Sequence, residues 1–139
     1  MNSTKRILLV DDEASFTRLT SLMLEQSGKY EVRAVNRAAE ILPALNSFSP
    51  DLVVMDVIMP DASGIDIARR MKANPAQRGI PIIFLTASIS KEDPARWDSG
   101  VEGISFKIED DLLLQNPVLT KPVGSKELMA KIDEVLAGQ

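Results

Sequence analysis

Ile7-Leu8-Leu9-Val10-Asp11-Asp12-Glu13 is the stretch on which the fold turns. Four apolar residues in an unbroken run, closed by three acids, read as a short strand buried on both faces, the pattern of a parallel sheet. The motif returns along the chain. Leu52-Val53-Val54-Met55 runs into Asp56, Ile82-Ile83-Phe84-Leu85 runs into Thr86, and Val118-Leu119-Thr120 is followed by Lys121-Pro122. The segment 30–35 alternates apolar and polar residues instead, which places it nearer a sheet edge.

Helical segments separate these runs. The first is predicted over 14–27, with Phe16, Leu19, Leu22, Met23 and Gln26 on one side and Gly28 behind it as a terminator. Asn36 is a candidate cap for a second helix reaching about residue 47, and Pro43 inside it predicts a kinked or shortened element. Pro60, Asp61, Ser63 and Gly64 predict a loop. A helix over 64–73 then turns Ile65, Ala68 and Met71 or the Arg69 stem inward, and Asn74-Pro75 stops it. Ser90-Lys91-Glu92-Asp93 resembles a capping box before a short helix carrying Trp97. Ser125 is the candidate cap of a last helix with Leu128, Met129, Ile132, Val135 and Leu136 as its apolar stripe. Strands alternating with helices predict a doubly wound α/β fold, a parallel sheet with helices on both faces, over one domain spanning 1–139.

Composition narrows the chemistry. The 139 residues contain no cysteine and no histidine, so thiolate sites, imidazole ligands and phosphohistidine on this chain are excluded. A net charge of −4 gives no basic footprint for nucleic acid. No apolar run approaches the roughly 20 residues of a membrane span, and Ile7 to Val10 is too short for a signal-peptide core. The expectation is a cytoplasmic protein with neither nucleic acid nor membrane as partner.

Ligands of open α/β sheets bind beyond the carboxyl ends of the strands. Asp11, Asp12, Asp56, Thr86 and Lys121 stand at those ends. Carboxylates held close together take up protons or bind a cation, and oxygen-only ligation suits Mg²⁺. A carboxylate beside such an ion can attack phosphorus, with Lys121 and Thr86 as donors to the phosphoryl oxygens.

These segments, with Asp56-Val57-Ile58-Met59-Pro60, Gly64, Thr86-Ala87-Ser88 and Lys121-Pro122 in order, resemble the receiver domain of bacterial response regulators over about 5–136. The closest type is the stand-alone, chemotaxis-regulator-like one. The resemblance implies a five-stranded sheet of order 2-1-3-4-5, flavodoxin-like. It implies Asp56 as phosphoryl acceptor, and Mg²⁺ held by Asp11, Asp12, Asp56 and the backbone carbonyl of Ile58. Lys121 would bridge to the phosphoryl group, across a bond to Pro122 that the family often has in cis, and Thr86 would move toward it. A sensor histidine kinase or histidine phosphotransfer protein would be the donor, an unidentified downstream protein the target. Self-catalysed dephosphorylation would make the chain a phosphoryl acceptor with autophosphatase activity rather than a conventional enzyme. No output domain is expected after the last helix.

Three positions depart from the family. Val118 stands where an aromatic residue often moves in concert with the threonine. The segment 105–117 looks like an insertion before the last strand. Ile58 is branched and apolar where access of the hydrolytic water is controlled, which implies slow dephosphorylation; a phosphoryl lifetime of seconds in Mg²⁺ would contradict that. Glu109-Asp110-Asp111 reads as a solvated acidic turn and Leu112-Leu113-Leu114 as core or cover for the sheet edge. Two alternatives on the same fold are a docking module independent of phosphorylation and a flavodoxin-like cofactor binder. The second lacks a glycine- and hydroxyl-rich phosphate loop after the first strand, where Asp-Asp-Glu stands.

Overall fold

The computed structural model of the chain describes residues 4–87 and 116–139. In chain order the elements are β1 (Lys5–Val10), α1 (Ala14–Gln26), β2 (Tyr30–Val35), a 3₁₀ turn (Ala38–Glu40), α2 (Ile41–Phe48), β3 (Leu52–Asp56), β4 (Ile58–Met59), β5 (Ala62–Ser63), α3 (Gly64–Ala73), β6 (Ile82–Ala87), β7 (Val118–Lys121) and α4 (Ser125–Ala137). Five strands form one sheet in the order β2-β1-β3-β6-β7, every neighbouring pair parallel. β4 and β5 are a separate antiparallel hairpin. With that hairpin set aside, the order is the 2-1-3-4-5 that the sequence implied, and the alternating strand β2 lies at an edge.

Period-two alternation along the strands divides the apolar side chains between two faces. Leu8, Val10, Val53, Met55, Ile82 and Phe84 pack with Ile41 and Leu45 of α2 and Ile65, Ala68 and Met71 of α3. Ile7, Leu9, Leu52, Val54, Ile83 and Leu85 pack with Leu24 of α1 and Leu128 and Ile132 of α4. Both faces are covered, so the buried stretches of the central strands, residues 7–10, 52–55 and 82–85, carry no polar residue. This is the physical origin of the uninterrupted apolar runs.

The helices bring four corrections. On α1 the buried residues are Thr17, Thr20 and Leu24. Leu19, Leu22 and Met23, expected inside, are 61%, 53% and 41% exposed, and Phe16 is half-buried. The spacing 17, 20, 24 is itself helical (i, i+3, i+7); Leu24 and the half-buried Phe16 pack on the core of this face where a leucine-rich stripe was expected. Asn36 caps no helix. The chain turns through the 3₁₀ segment first, α2 starts at Ile41 with no side-chain cap, and Pro43 falls in its first turn, where a missing N–H costs little. The element is shortened as the proline predicted. Ser125 is the first residue of α4 rather than its cap, a place taken by Gly124. The loop expected after Asp56 holds the β4–β5 hairpin, and Ser63 caps α3 by accepting from the Ile65 N–H at 3.2 Å. Gly28 ends α1 with φ +77°, in the left-handed region glycine favours.

The predicted helix with Trp97, the acidic turn at 109–111, the leucines at 112–114 and all but the end of the proposed insertion at 105–117 lie outside the described residues. No helix among the described residues is long and apolar enough to cross a membrane.

Candidate functional site

Strand register builds the site. Val10 is level with Met55 and also with Val35, so Asp11, Asp56 and Asn36 continue three adjacent strands on one rim. Asp56 is level with Leu85, which puts Thr86 one step beyond it, and Lys121 is level with Ala87. Asp11, Asp12 and Asp56 each offer a carboxylate oxygen, and these oxygens lie within 4.8 Å of one another. Asp11 is fully buried and Asp56 is 4% exposed, while Asp12 reaches solvent.

Lys121 supplies the counter-charge. Its ammonium forms an ion pair with Asp11 Oδ2 and a longer one, 3.5 Å, with Asp56 Oδ2. It also lies 5.5 Å from the centre of the Phe16 ring, a favourable placement for a cation over an aromatic face. One ammonium does not neutralise three carboxylates. Burial, then the charge of Asp11, push the Asp56 carboxyl up to about 7; Lys121 pulls the other way, and the hydrogen bond and charge of Asp12 push it up again. Burial lowers the Lys121 pKa, but its bonds to Asp11 and the charge of Asp56 outweigh that and hold it above the ordinary lysine value. A cluster of oxygens with surplus negative charge and no softer donor fits a small hard cation.

The residues after Asp56 are held tightly. The Val57 N–H donates to Leu85 O, and the Gly64 N–H returns to Val57 O, both at 2.8 Å. A Cβ on Gly64 would overlap the Asp56 carbonyl oxygen and stand 2.9 Å from Met55 Cγ, so this position requires glycine for close approach. The Ile58 N–H points at Asp56 Oδ1, 3.4 Å away. The Thr86 hydroxyl is buried and has no hydrogen-bond partner among the described residues. The Lys121–Pro122 bond is cis, the isomer the resemblance implied. Val118, three residues before Lys121, is 39% exposed.

A family model, response regulator receiver domain, matches residues 7–133. The chain belongs to the response regulator receiver family. The phosphate regulon transcriptional regulatory protein PhoB of Pseudomonas aeruginosa is 33% identical over 132 residues, 95% of this chain and 52% of that protein. The chain thus spans about half the length of the curated relatives it matches. Among solved structures, a CheY-like response regulator receiver domain protein from Methanospirillum hungatei superposes with a TM-score of 0.73 at 27% identity, covering 98% of this chain and 96% of that one. A response regulator from Desulfuromonas acetoxidans gives 0.72 at 27%, covering 96% and 97%.

In this receiver domain the residues expected at the rim, Asp11, Asp12, Asp56, Thr86 and Lys121, do stand at the carboxyl ends of their strands. Sequence reasoning missed two others. Asn36, expected to cap α2, instead donates to Asp11 O at 2.8 Å and to Thr17 Oγ1 at 2.9 Å. Asp61, at the tip of the β4–β5 hairpin, accepts the Ala38 N–H at 3.0 Å and ties that hairpin to the start of the 3₁₀ turn. The signal for Asn36 was available: it ends β2, and the strand-end rule applies to the edge strand as well as to the other four.

Proposed function

We propose that this receiver domain accepts a phosphoryl group on Asp56 and uses it as a reversible signal. The observation that carries the reading is the cluster of Asp11, Asp12 and Asp56 with the Lys121 ammonium paired to Asp11 and Asp56, and at the same rim a buried Thr86 hydroxyl that has no partner among the described residues. Mg²⁺, held by Asp11, Asp12, Asp56 and the Ile58 carbonyl, would balance the surplus charge and that of an incoming phosphoryl group.

An Asp56 carboxylate oxygen attacks the phosphorus of a phosphohistidine on a sensor kinase or phosphotransfer protein. A P–O bond forms, the P–N bond breaks, and its electron pair stays on the donor imidazole. Lys121 leaves Asp56 for the transferred group's oxygens, and the Thr86 hydroxyl gains the partner it lacks. Water later attacks the same phosphorus, releases phosphate and restores the carboxylate. Phosphorylation adds about two negative charges to the pocket. That charge biases an equilibrium between surface arrangements read by a downstream protein. The reading extends to a cytoplasmic location and to one receiver unit over 1–139.

The test is incubation with acetyl phosphate and Mg²⁺, followed by intact-mass measurement of wild type and Asp56→Asn. One phosphoryl increment on wild type and none on the variant is expected. No Asp56-dependent increment would leave a docking module independent of phosphorylation.

A further inference from the structure

Asn36 spends both amide protons on the acidic turn. Asp11 O is a carbonyl and can only accept, so the group facing it at 2.8 Å is the amide nitrogen. Thr17 has one O–H, and it donates to Ala14 O at 3.1 Å. Its oxygen therefore accepts the second proton of Asn36, at 2.9 Å. Thr17 is 2% exposed and its N–H bonds Glu13 O, so the contact reaches the first turn of α1.

Asp11 is then fixed at each of its polar groups. Its N–H donates to Val35 O at 3.1 Å, Oδ1 accepts from the Glu13 N–H at 2.9 Å, Oδ2 pairs with Lys121, and the carbonyl oxygen accepts from Asn36. That last carbonyl belongs to the peptide joining Asp11 to Asp12. Its orientation sets where the exposed Asp12 side chain starts from.

We propose that Asn36 is a positioning residue for cation binding: by donating to the Asp11 carbonyl and to Thr17 it locks the Asp11–Asp12 peptide and preorganises the two carboxylates. The inference rests on the reading of this rim as an Mg²⁺ site. Partners that orient ligand residues without touching the metal typically contribute a factor of about 10–100 in metal affinity. No residue type of similar size offers the same two protons: aspartate has none, serine has one, and glutamine is a methylene too long.

Mg²⁺ dissociation constants by calorimetry, with urea unfolding run alongside, test this on Asn36→Leu, Asn36→Asp and Thr17→Val. Asn36→Leu should bind Mg²⁺ about tenfold more weakly, and phosphorylation by acetyl phosphate should return to within about twofold of wild type at saturating Mg²⁺. Asn36→Asp separates positioning from charge, because an added carboxylate strengthens cation binding by Coulomb attraction alone, whereas loss of both donors weakens it. Thr17→Val should fall between wild type and Asn36→Leu. Unchanged affinity in a folded Asn36→Leu, or tighter binding by Asn36→Asp, overturns the inference while leaving the site intact. Should Asn36→Leu not fold, the sign of the Asn36→Asp effect decides. A wild type that binds no Mg²⁺ overturns the reading of the site itself.

Discussion

A buried hydroxyl without a hydrogen-bond partner costs stability, and Thr86 carries one, unpaired among the described residues, at the rim beside Asp56. Residues that lower stability in the resting state and gain a partner only in another state are where local rules of packing are expected to fail. Valine has nearly the shape of threonine and lacks the unpaired oxygen. Thr86→Val should therefore raise the stability of the metal-free protein by about 1 kcal/mol, read as a higher urea midpoint with an unchanged slope. A destabilised variant would mean that the hydroxyl is already satisfied in the resting protein. The neighbouring Lys121 contrasts with it: its charge is fully engaged, by Asp11 and Asp56, before any ligand arrives.

At the scale of elements, legibility followed covering. β1 from Ile7 onward, β3 and β6 are packed on both faces, so their buried stretches are apolar and the next polar side chain marks where each ends. Asp11, Asp56 and Thr86 were located by that boundary alone. α1 was misread because its leucines and methionine were counted as core by type. Its buried residues are Thr17, Thr20 and Leu24, and Thr17 lies inside where its hydroxyl accepts from Asn36 beside the turn at Asp11. Asn36 was misread for a related reason: a polar residue before a helix has two uses, and the choice between them depends on a strand 25 residues away in sequence. The α1 assignment has a direct check. Leu24→Ala should cost about 3 kcal/mol in urea unfolding, since Leu24 is fully buried. Leu22→Glu, on the exposed side, should stay within about 0.5 kcal/mol of wild type. Equal losses would put the leucine stripe back in the core.

At the scale of the whole molecule, the acidic rim opposes the two apolar cores that hold it in place, and pH exposes the conflict. Asp56 titrates near 7 in the metal-free fold against an ordinary value of 3.8. Between those values the native state holds a proton that the unfolded chain has released, so stability falls as pH rises through the window. The other shifted groups act elsewhere. Burial opposes the shift of Asp133, but its bonds to Lys29 and Tyr30 prevail and hold it below 3.8, so its contribution is lost only in stronger acid. Burial, then the bond to Asp133, raise Tyr30, which titrates above 10, and Lys121 lies above 10.5. Metal-free protein should therefore lose on the order of 2–4 kcal/mol between pH 4 and pH 7.5, and Asp56→Asn should flatten that slope. Saturating Mg²⁺ should offset it. The cation needs the ionised carboxylate, and a ligand at 100 times its dissociation constant adds about 2.7 kcal/mol, so the gain appears only as Asp56 ionises. Urea unfolding of both proteins at three pH values, with Mg²⁺ and with chelator, gives the four slopes. A wild type whose metal-free stability rises over this range would show that Asp56 is charged throughout and that Lys121 alone suffices to hold three carboxylates together.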